Sequence, residues 1–447
     1  MKSKSQSRRE FIEGAAALGV LGALGASSIL SSCKAKKKES YIAPVLLDRA
    51  PDGKPLKAGL IGCGGRGTGA AINFLNAGSD LQITALGDVF QSGIDQCRST
   101  LKTEKNVEIP DQNCFTGFDA YKRVIDTDVD IVILATPPHF RPAHFEAAVQ
   151  ARKHAFIEKP CAVDPVGARS VLASGKLAQA AGLTVISGLQ MRHARDFNAT
   201  HEKVTNGAIG KLVAGNSIRL GGGFRLKVRP EEWSDMEWML KDWQNWTWLS
   251  GDHIAEQMVH HIDMLNWFFG KPPVEAIGFG GRHRRPTGDQ YDFFSVDYAY
   301  DEVSKYFIMH RQIPGCYNRS GSHLIYGTSG YTNCQNKIWD YEDNLIWEYN
   351  YPLDEEGKPS GKIEIPMTDQ SHINLVTAIR TNNPVNEAFH NATSSLTAVM
   401  GRESAYTGKL ITWDEMMKSD LRLGPTEYTM GPVNLEPVPP VPGTPVT

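Results

Sequence analysis

Lys57-Ala58-Gly59-Leu60-Ile61-Gly62-Cys63-Gly64-Gly65-Arg66-Gly67 is the stretch whose reading decides the fold. Its first five residues form a short, mostly apolar strand that runs straight into a glycine-rich turn, with a helix behind it from Thr68 to Asn76. In such a turn Gly62 permits the tight bend, Gly64 lets backbone approach a pyrophosphate, and Gly67 lets the helix close on the strand. Gly65 and Arg66 complete the turn, and the helix N-terminus offers unpaired N–H groups to an anion. A second strand, Leu81 to Leu86, ends near Asp88, 21 residues after Gly67. An acid there suits a ribose 2′-hydroxyl and repels a 2′-phosphate. No basic residue lies between Asp88 and Arg98, so the pattern predicts NAD in preference to NADP. The plainer alternative is an ordinary β-α-β turn carrying a surface acid.

Further apolar strands follow at Val129 to Thr136, Ala155 to Glu158 and Leu183 to Ser187, with helical stretches at Ala143 to Ala151 and Val166 to Ala181. This alternation predicts an α/β domain over 56–188, a Rossmann doubly wound parallel sheet whose ligands sit at the carboxyl ends of the strands. Thr136-Pro137-Pro138-His139 and Glu158-Lys159-Pro160 fall at those ends. From residue 189 to about 424 the texture changes. Leu212 to Leu220, Val274 to Gly280, Phe293 to Tyr300, Lys305 to Arg311 and His323 to Gly327 read as strands with few helices between, so a C-terminal α+β domain with a large, open, mainly antiparallel sheet is expected. Asp369 to Thr381 and Ala392 to Gly408 read as helices. Residues 425–447 hold seven prolines and predict an extended tail without a core of its own, either an oligomer contact or disordered.

The other end of the chain reads as an address. Residues 1–32 carry Arg8-Arg9, the uncharged run Gly14 to Leu30, and then Leu30-Ser31-Ser32-Cys33. The run is too short and too rich in Gly and Ala for a comfortable bilayer span, and its flanks are those of a signal peptide. Twin-arginine leaders are receptor-read addresses, used for proteins that fold before crossing a membrane. The segment around Cys33 resembles a lipobox, which predicts lipidation of Cys33 and a membrane anchor on a periplasmic protein; the alternative is a cleaved soluble leader. Residues 33–55 then form a linker. Beyond residue 38 the chain has 39 Lys/Arg against 48 Asp/Glu, a balance that argues against nucleic acid as a partner. Six further cysteines show no paired C-x-x-C spacing, and no metal site is expected. Free NAD is cytoplasmic, so export implies a dinucleotide loaded before transit and held tightly.

With these motifs in place, the chain from residue 57 to about 420 resembles the Gfo/Idh/MocA family, which includes glucose-fructose oxidoreductase and inositol dehydrogenases. The resemblance rests on Gly62 to Gly67, Ala135-Thr136-Pro137, Glu158-Lys159-Pro160 and a helical motif near residue 260. It implies that Thr136, Pro137, His139 and Glu158 border the cofactor and that Lys159 sits beside both the nicotinamide and the reacting sugar carbon. A lysine against a cofactor cation is expected to have a lowered pKa, suited to proton transfer. The family's Asp-x-x-x-His pair falls on Glu256 and His260, with Glu in place of the usual Asp. Spacing of four sets Asp252, Glu256 and His260 along one helical face, where a carboxylate would orient the imidazole and raise its pKa. The resemblance also implies a homo-oligomer, a dimer or tetramer.

Substrate contacts are read from position. Five of nine tryptophans fall between Trp233 and Trp248, and Trp246 among them is a candidate platform for a sugar ring; core packing is the alternative. Arg192 follows the last Rossmann strand and either binds a hydroxylated substrate or pairs with an acid. His253 and His261 are weaker candidates. The functional expectation is an oxidoreductase acting on a carbohydrate hydroxyl with an internally recycled NAD. The alternatives are an NAD-dependent glycoside hydrolase, working by transient C3 oxidation, elimination, hydration and reduction, and a non-catalytic sugar-binding lipoprotein.

Overall fold

The computed structural model describes residues 41–224, 227–434 and 438–443. The leader and Cys33 lie outside the described residues. Strands β1 (Leu56–Ile61), β2 (Leu81–Asp88), β3 (Cys114–Thr116), β4 (Ile131–Leu134), β5 (His154–Ile157) and β6 (Val185–Ser187) form one sheet in the order 3-2-1-4-5-6. Every pairing in it is parallel. The order reverses between β1 and β4, and that switch point opens a crevice beyond the strand ends.

β4 shows why the sheet needs two helical layers. All four of its residues are buried, with Ile131 and Ile133 on one face and Val132 and Leu134 on the other, as the two-residue period of a strand requires. The first face packs against helices Gly65–Asn76, Gln91–Lys105 and Met367–Arg380, the second against Ala120–Ile125, Arg141–Gln150 and Pro165–Ala180. Two expectations are corrected here. The helix behind the glycine turn begins at Gly65, three residues early. Helix Met367–Arg380, allotted to the second domain, packs on the Rossmann core through Ile373, Leu375 and Val376 and is tied to it by Asn73 Nδ2 donating to Asp369 at 2.5 Å.

The second sheet has nine strands in the order 14-13-12-11-7-10-9-8-15. They are β7 (Leu212–Leu220), β8 (Glu275–Gly281), β9 (Phe293–Ala299), β10 (Lys305–Arg311), β11 (Arg319–Gly327), the short β12 (Tyr331–Thr332), β13 (Lys337–Trp339) and β14 (Leu345–Glu348), and β15 (Ile411–Thr412). Only β7 and β10 pair in parallel; the rest are antiparallel. Its inner face rests on helix Ala388–Thr407, which comes close because a Cβ on Gly278 would lie 2.8 Å from the Gly401 carbonyl oxygen. Arg402 of that helix is fully buried and donates to the carbonyls of Val163 (2.8 Å) and Gly251 (3.1 Å), joining the two halves of the chain. Among the described residues no helix is long and apolar enough to cross a membrane.

Candidate functional site

A cavity of about 740 Å³ opens at the carboxyl ends of β1, β2, β4 and β5. Its floor is the glycine turn, and the four glycines divide the work. Gly62 has a φ of +98°, and a Cβ there would stand 2.5 Å from the Thr136 nitrogen; one on Gly67 would stand 1.8 Å from the Gly62 oxygen. At Gly64 and Gly65 a Cβ would meet nothing within 4 Å. Two glycines are therefore demanded by the fold, and two keep the floor clear. Helix Gly65–Asn76 starts here without a side-chain cap, so its first N–H groups face the cavity in the way an anion requires. The cradle fits the pyrophosphate of a dinucleotide.

Asp88 closes one end. Its carboxylate accepts from the Cys63 N–H (2.7 Å) and the Phe90 N–H (2.9 Å), and burial raises its pKa. Arg66 pairs with the buried Glu158 at 3.1 Å, tying the turn to the end of β5. Thr136 and Pro137 line the cavity after β4, with Thr136 Oγ1 at 3.4 Å from His144 Nδ1.

Lys159 marks the far end. Its ammonium donates to the backbone carbonyl of Glu256 at 2.5 Å and lies 3.3 Å from the Glu256 carboxylate. That carbonyl is available because the helix is broken. Residues Asp252–Glu256 form one helix and Val259–Phe269 the next, with a turn between, and Met258 and Gln257 donate back to His253. Adjoining this junction is a polar recess of about 130 Å³, lined by Asn245, His253, Glu256, Gln257, Arg285 and Gln312. The amide oxygens of Gln257 and Gln312 accept from Arg219 and Arg285, each at 2.7 Å. Their NH₂ groups are the donors left for a ligand.

Several expected contacts are placed elsewhere. The break removes the continuous face through Asp252, Glu256 and His260, so Glu256 engages Lys159 and does not orient His260. Burial, with Lys159 and Arg219 nearby, holds the His260 pKa well below its ordinary value, opposite to the expected rise. His260 does not line the cavity, and its Nδ1 is buried without a hydrogen-bond partner. His139 is turned from the cavity onto Tyr428, with Nε2 and the phenol oxygen 2.7 Å apart, because aromatic rings enclose it. Arg192 takes the acid-paired alternative, a two-point contact with Asp263 at 2.8 and 2.9 Å. His261 is buried beneath β7, sharing the Ser217 hydroxyl with His323. Trp246 belongs to a satellite core with Trp238, Trp248 and Met239; Trp243 is the tryptophan of this group that lines the cavity. His253 lines the recess, its Nδ1 2.7 Å from that of His310.

Sequence reasoning missed Lys241, Arg285 and Gln312, and within the tryptophan cluster it singled out Trp246 where Trp243 is the one at the cavity. Lys241 comes from the second domain to lie 3.8 Å over the Phe90 ring, near Asp88, so a search for cations restricted to the β2 crossover could not find it. The tryptophan cluster was the one available signal, and it pointed to the right segment.

Two family models match the chain. The oxidoreductase-family NAD-binding Rossmann fold of Gfo/Idh/MocA matches residues 56–188, and the GFO/IDH/MocA C-terminal domain matches 197–332. An inositol 2-dehydrogenase of Acidothermus cellulolyticus is 23% identical over 235 residues, covering 53% of this chain and 60% of that protein. A glycosyl hydrolase family 109 protein of Shewanella pealeana is 30% identical over 159 residues, 35% of this chain and 34% of that protein. The chain thus spans three fifths or less of these curated relatives. Among solved structures, an aldose-aldose oxidoreductase from Caulobacter crescentus, complexed with glycerol, superposes with a TM-score of 0.61 at 15% identity, covering 80% of this chain and 99% of that one. The WlbA dehydrogenase of Bordetella pertussis, in complex with NADH and UDP-GlcNAcA, gives 0.59 at 17% identity, covering 80% and 98%. At such identities these two structures support the fold.

Two outcomes follow from the site. Gly64→Ala should change stability by no more than about 0.5 kcal/mol yet abolish dinucleotide binding, whereas Gly67→Ala should destabilise by about 1–3 kcal/mol through overpacking; thermal melts and cofactor titration separate them. Burial holds His253, His260, His261 and His310 well below their ordinary 6.5. The unfolded chain binds protons there that the folded one does not, so this stability is present above pH 6.5 and lost as pH falls below it. Asp242 and Asp252, raised by burial to about 6, pull the opposite way over the same range. The histidine part should therefore appear as a melting-temperature drop between pH 6.5 and 5 that shrinks in His261→Asn, and an unchanged slope in that variant would contradict the assignment.

Proposed function

For a chain that belongs to the Gfo/Idh/MocA oxidoreductase family, we propose oxidation of a sugar or glycoside hydroxyl carbon with an NAD that stays bound and is restored within each cycle. The observation that carries this reading is the Lys159–Glu256 junction, where the dinucleotide cleft meets the polar recess. Gly64, Gly65, Arg66 and Asp88 would hold the dinucleotide, which supplies a hydride acceptor and donor when bound. A hydroxyl seated at the recess meets the Lys159–Glu256 pair; the Glu256 carboxylate takes its proton as the carbon is oxidised and returns it on reduction, with the Lys159 ammonium beside it. Gln257, Gln312 and Arg285 orient the remaining hydroxyls.

A hydrolytic cycle is the second reading, favoured by the match to the family 109 glycosyl hydrolase. It would use the same proton-transfer pair for elimination. Incubation with aryl glycosides decides between them: released aglycone without net NADH supports hydrolysis, and a keto-sugar with reduced cofactor or reduced acceptor supports oxidation. In either case Lys159→Ala should lower turnover by about 10²–10⁴-fold while NAD remains bound; undiminished turnover would remove Lys159 from the chemistry.

Export by the twin-arginine route and anchorage through a lipidated Cys33 belong to the same proposal, supported by Arg8-Arg9 and the lipobox-like segment. Homo-oligomer formation is supported by the outer face of the second sheet. There Ile277, Phe279, Phe307 and Met309 are exposed, and the strand register brings them into two adjacent rows. On β9 between them lie Asp297 and Ser295, so the face is apolar on both sides of a polar line, and that much exposed apolar surface favours a protein partner. Phe279→Asp should shift the protein to a smaller species in light scattering; an unchanged mass would place the interface elsewhere.

A further inference from the structure

Of the tail expected to be coreless, residues 425–434 lie along their own chain, and their contacts, with that of Leu423 just before them, fall on both rims of the dinucleotide cleft. On the Rossmann rim, the Leu423 N–H donates to Asp164 Oδ2 at 2.9 Å. The Tyr428 hydroxyl meets His139 Nε2 at 2.7 Å, and its ring lies 5.8 Å from Phe118 and 5.2 Å from Phe140, both of which line the cleft. On the opposite rim, the Met236 N–H donates to the Gly431 carbonyl at 3.1 Å and the Val433 N–H donates to Asp235 Oδ2 at 3.2 Å. Asp235 and Met236 begin the helix Asp235–Lys241, which continues into Lys241, Asp242 and Trp243, the outer wall of the cleft. That wall faces the end of the cleft held by Asp88. Lys241 Nζ there lies over Phe90 and 3.3 Å from Ser92 Oγ.

We infer that residues 235–243 are the second half of the dinucleotide site and that residues 423–433 are a strap holding this wall against the Rossmann rim, so that bound NAD is retained instead of exchanged. The inference rests on the NAD reading above and adds the reason for retention. The glycine turn alone gives a cradle open on one side, from which a dinucleotide leaves freely. A wall supplied by another part of the chain closes that side, and it must swing away for release. Swinging away breaks the strap's bonds on one rim or the other, and the same bonds must break for entry, so the strap slows exchange in both directions. Lys241 is then a cofactor-facing residue at the adenosine end, where its charge and its contact with Phe90 help to close the wall.

The test is cofactor exchange in the purified holoprotein, followed by the fluorescence of etheno-NAD replacing bound NAD, with total dinucleotide measured after denaturation. Wild type should hold its dinucleotide through gel filtration. Tyr428→Ala and Asp235→Ala, which cut the strap on opposite rims, should each speed exchange about tenfold or more, and Tyr428→Phe, which keeps the ring, should fall between. Exchange in both alanine variants within about twofold of wild type, with the fold intact by circular dichroism, would overturn the strap and leave the NAD reading standing. A wild-type protein that binds no dinucleotide at all would instead remove the NAD reading. If one variant fails to fold, the other still decides, because each cuts a different rim.

Discussion

The site depends on one carbonyl that its helix leaves to a side chain. A continuous helix through residues 252–269 would have spent the Glu256 carbonyl on the N–H four residues later. The turn at Gln257 and Met258 withdraws that partner, and the carbonyl faces Lys159 instead. An ammonium left without partners in this partly enclosed place would carry a heavy desolvation cost; here it has a carbonyl and a carboxylate from the same residue. The helix break thus brings the second domain's acid to the end of the Rossmann strand β5, and the cleft and the recess meet at that point.

Holding that meeting in register requires the two halves of the chain to move as one. Arg402 does part of this from within, buried and donating to Val163 on the Rossmann side and to Gly251 just ahead of the broken helix. Removing a buried charge's partners is costly, so the guanidinium resists any separation of the two carbonyls. Helix Met367–Arg380 crosses back to cover the Rossmann sheet, and residues 423–433 lie across the cleft rims from outside. Separation into a nucleotide half and a substrate half is therefore less complete than the linear order of the chain implies.

Much of the architecture was legible because it depends on local rules. A buried parallel strand is nearly all apolar, and β4, with β1 and β5 apart from Lys57 and His154 near their starts, reads that way; a glycine turn before a helix has few other uses. The three-residue β3 was invisible because its pairing with β2, not its own pattern, makes it a strand. The site was legible where it lies on that frame: Gly62, Gly64, Gly67, Asp88, Thr136, Glu158 and Lys159 all border the cleft. It failed where a side chain's direction depends on what packs beside it. Arg192 was drawn to Asp263, His139 to Tyr428, and Trp246 into a core with its neighbours.

The sequence by itself determined a Rossmann domain with a dinucleotide cradle and a following sheet domain, because strand period, glycine placement and short motifs act over a few residues. Tertiary structure decided which carboxylate meets Lys159, that His260 stays neutral, and that Lys241 and residues 423–433 close over the cleft. Those outcomes come from burial and from pairings between residues far apart in the chain. No local pattern encodes them, since hydrogen bonding and desolvation are set by neighbours that only folding brings together.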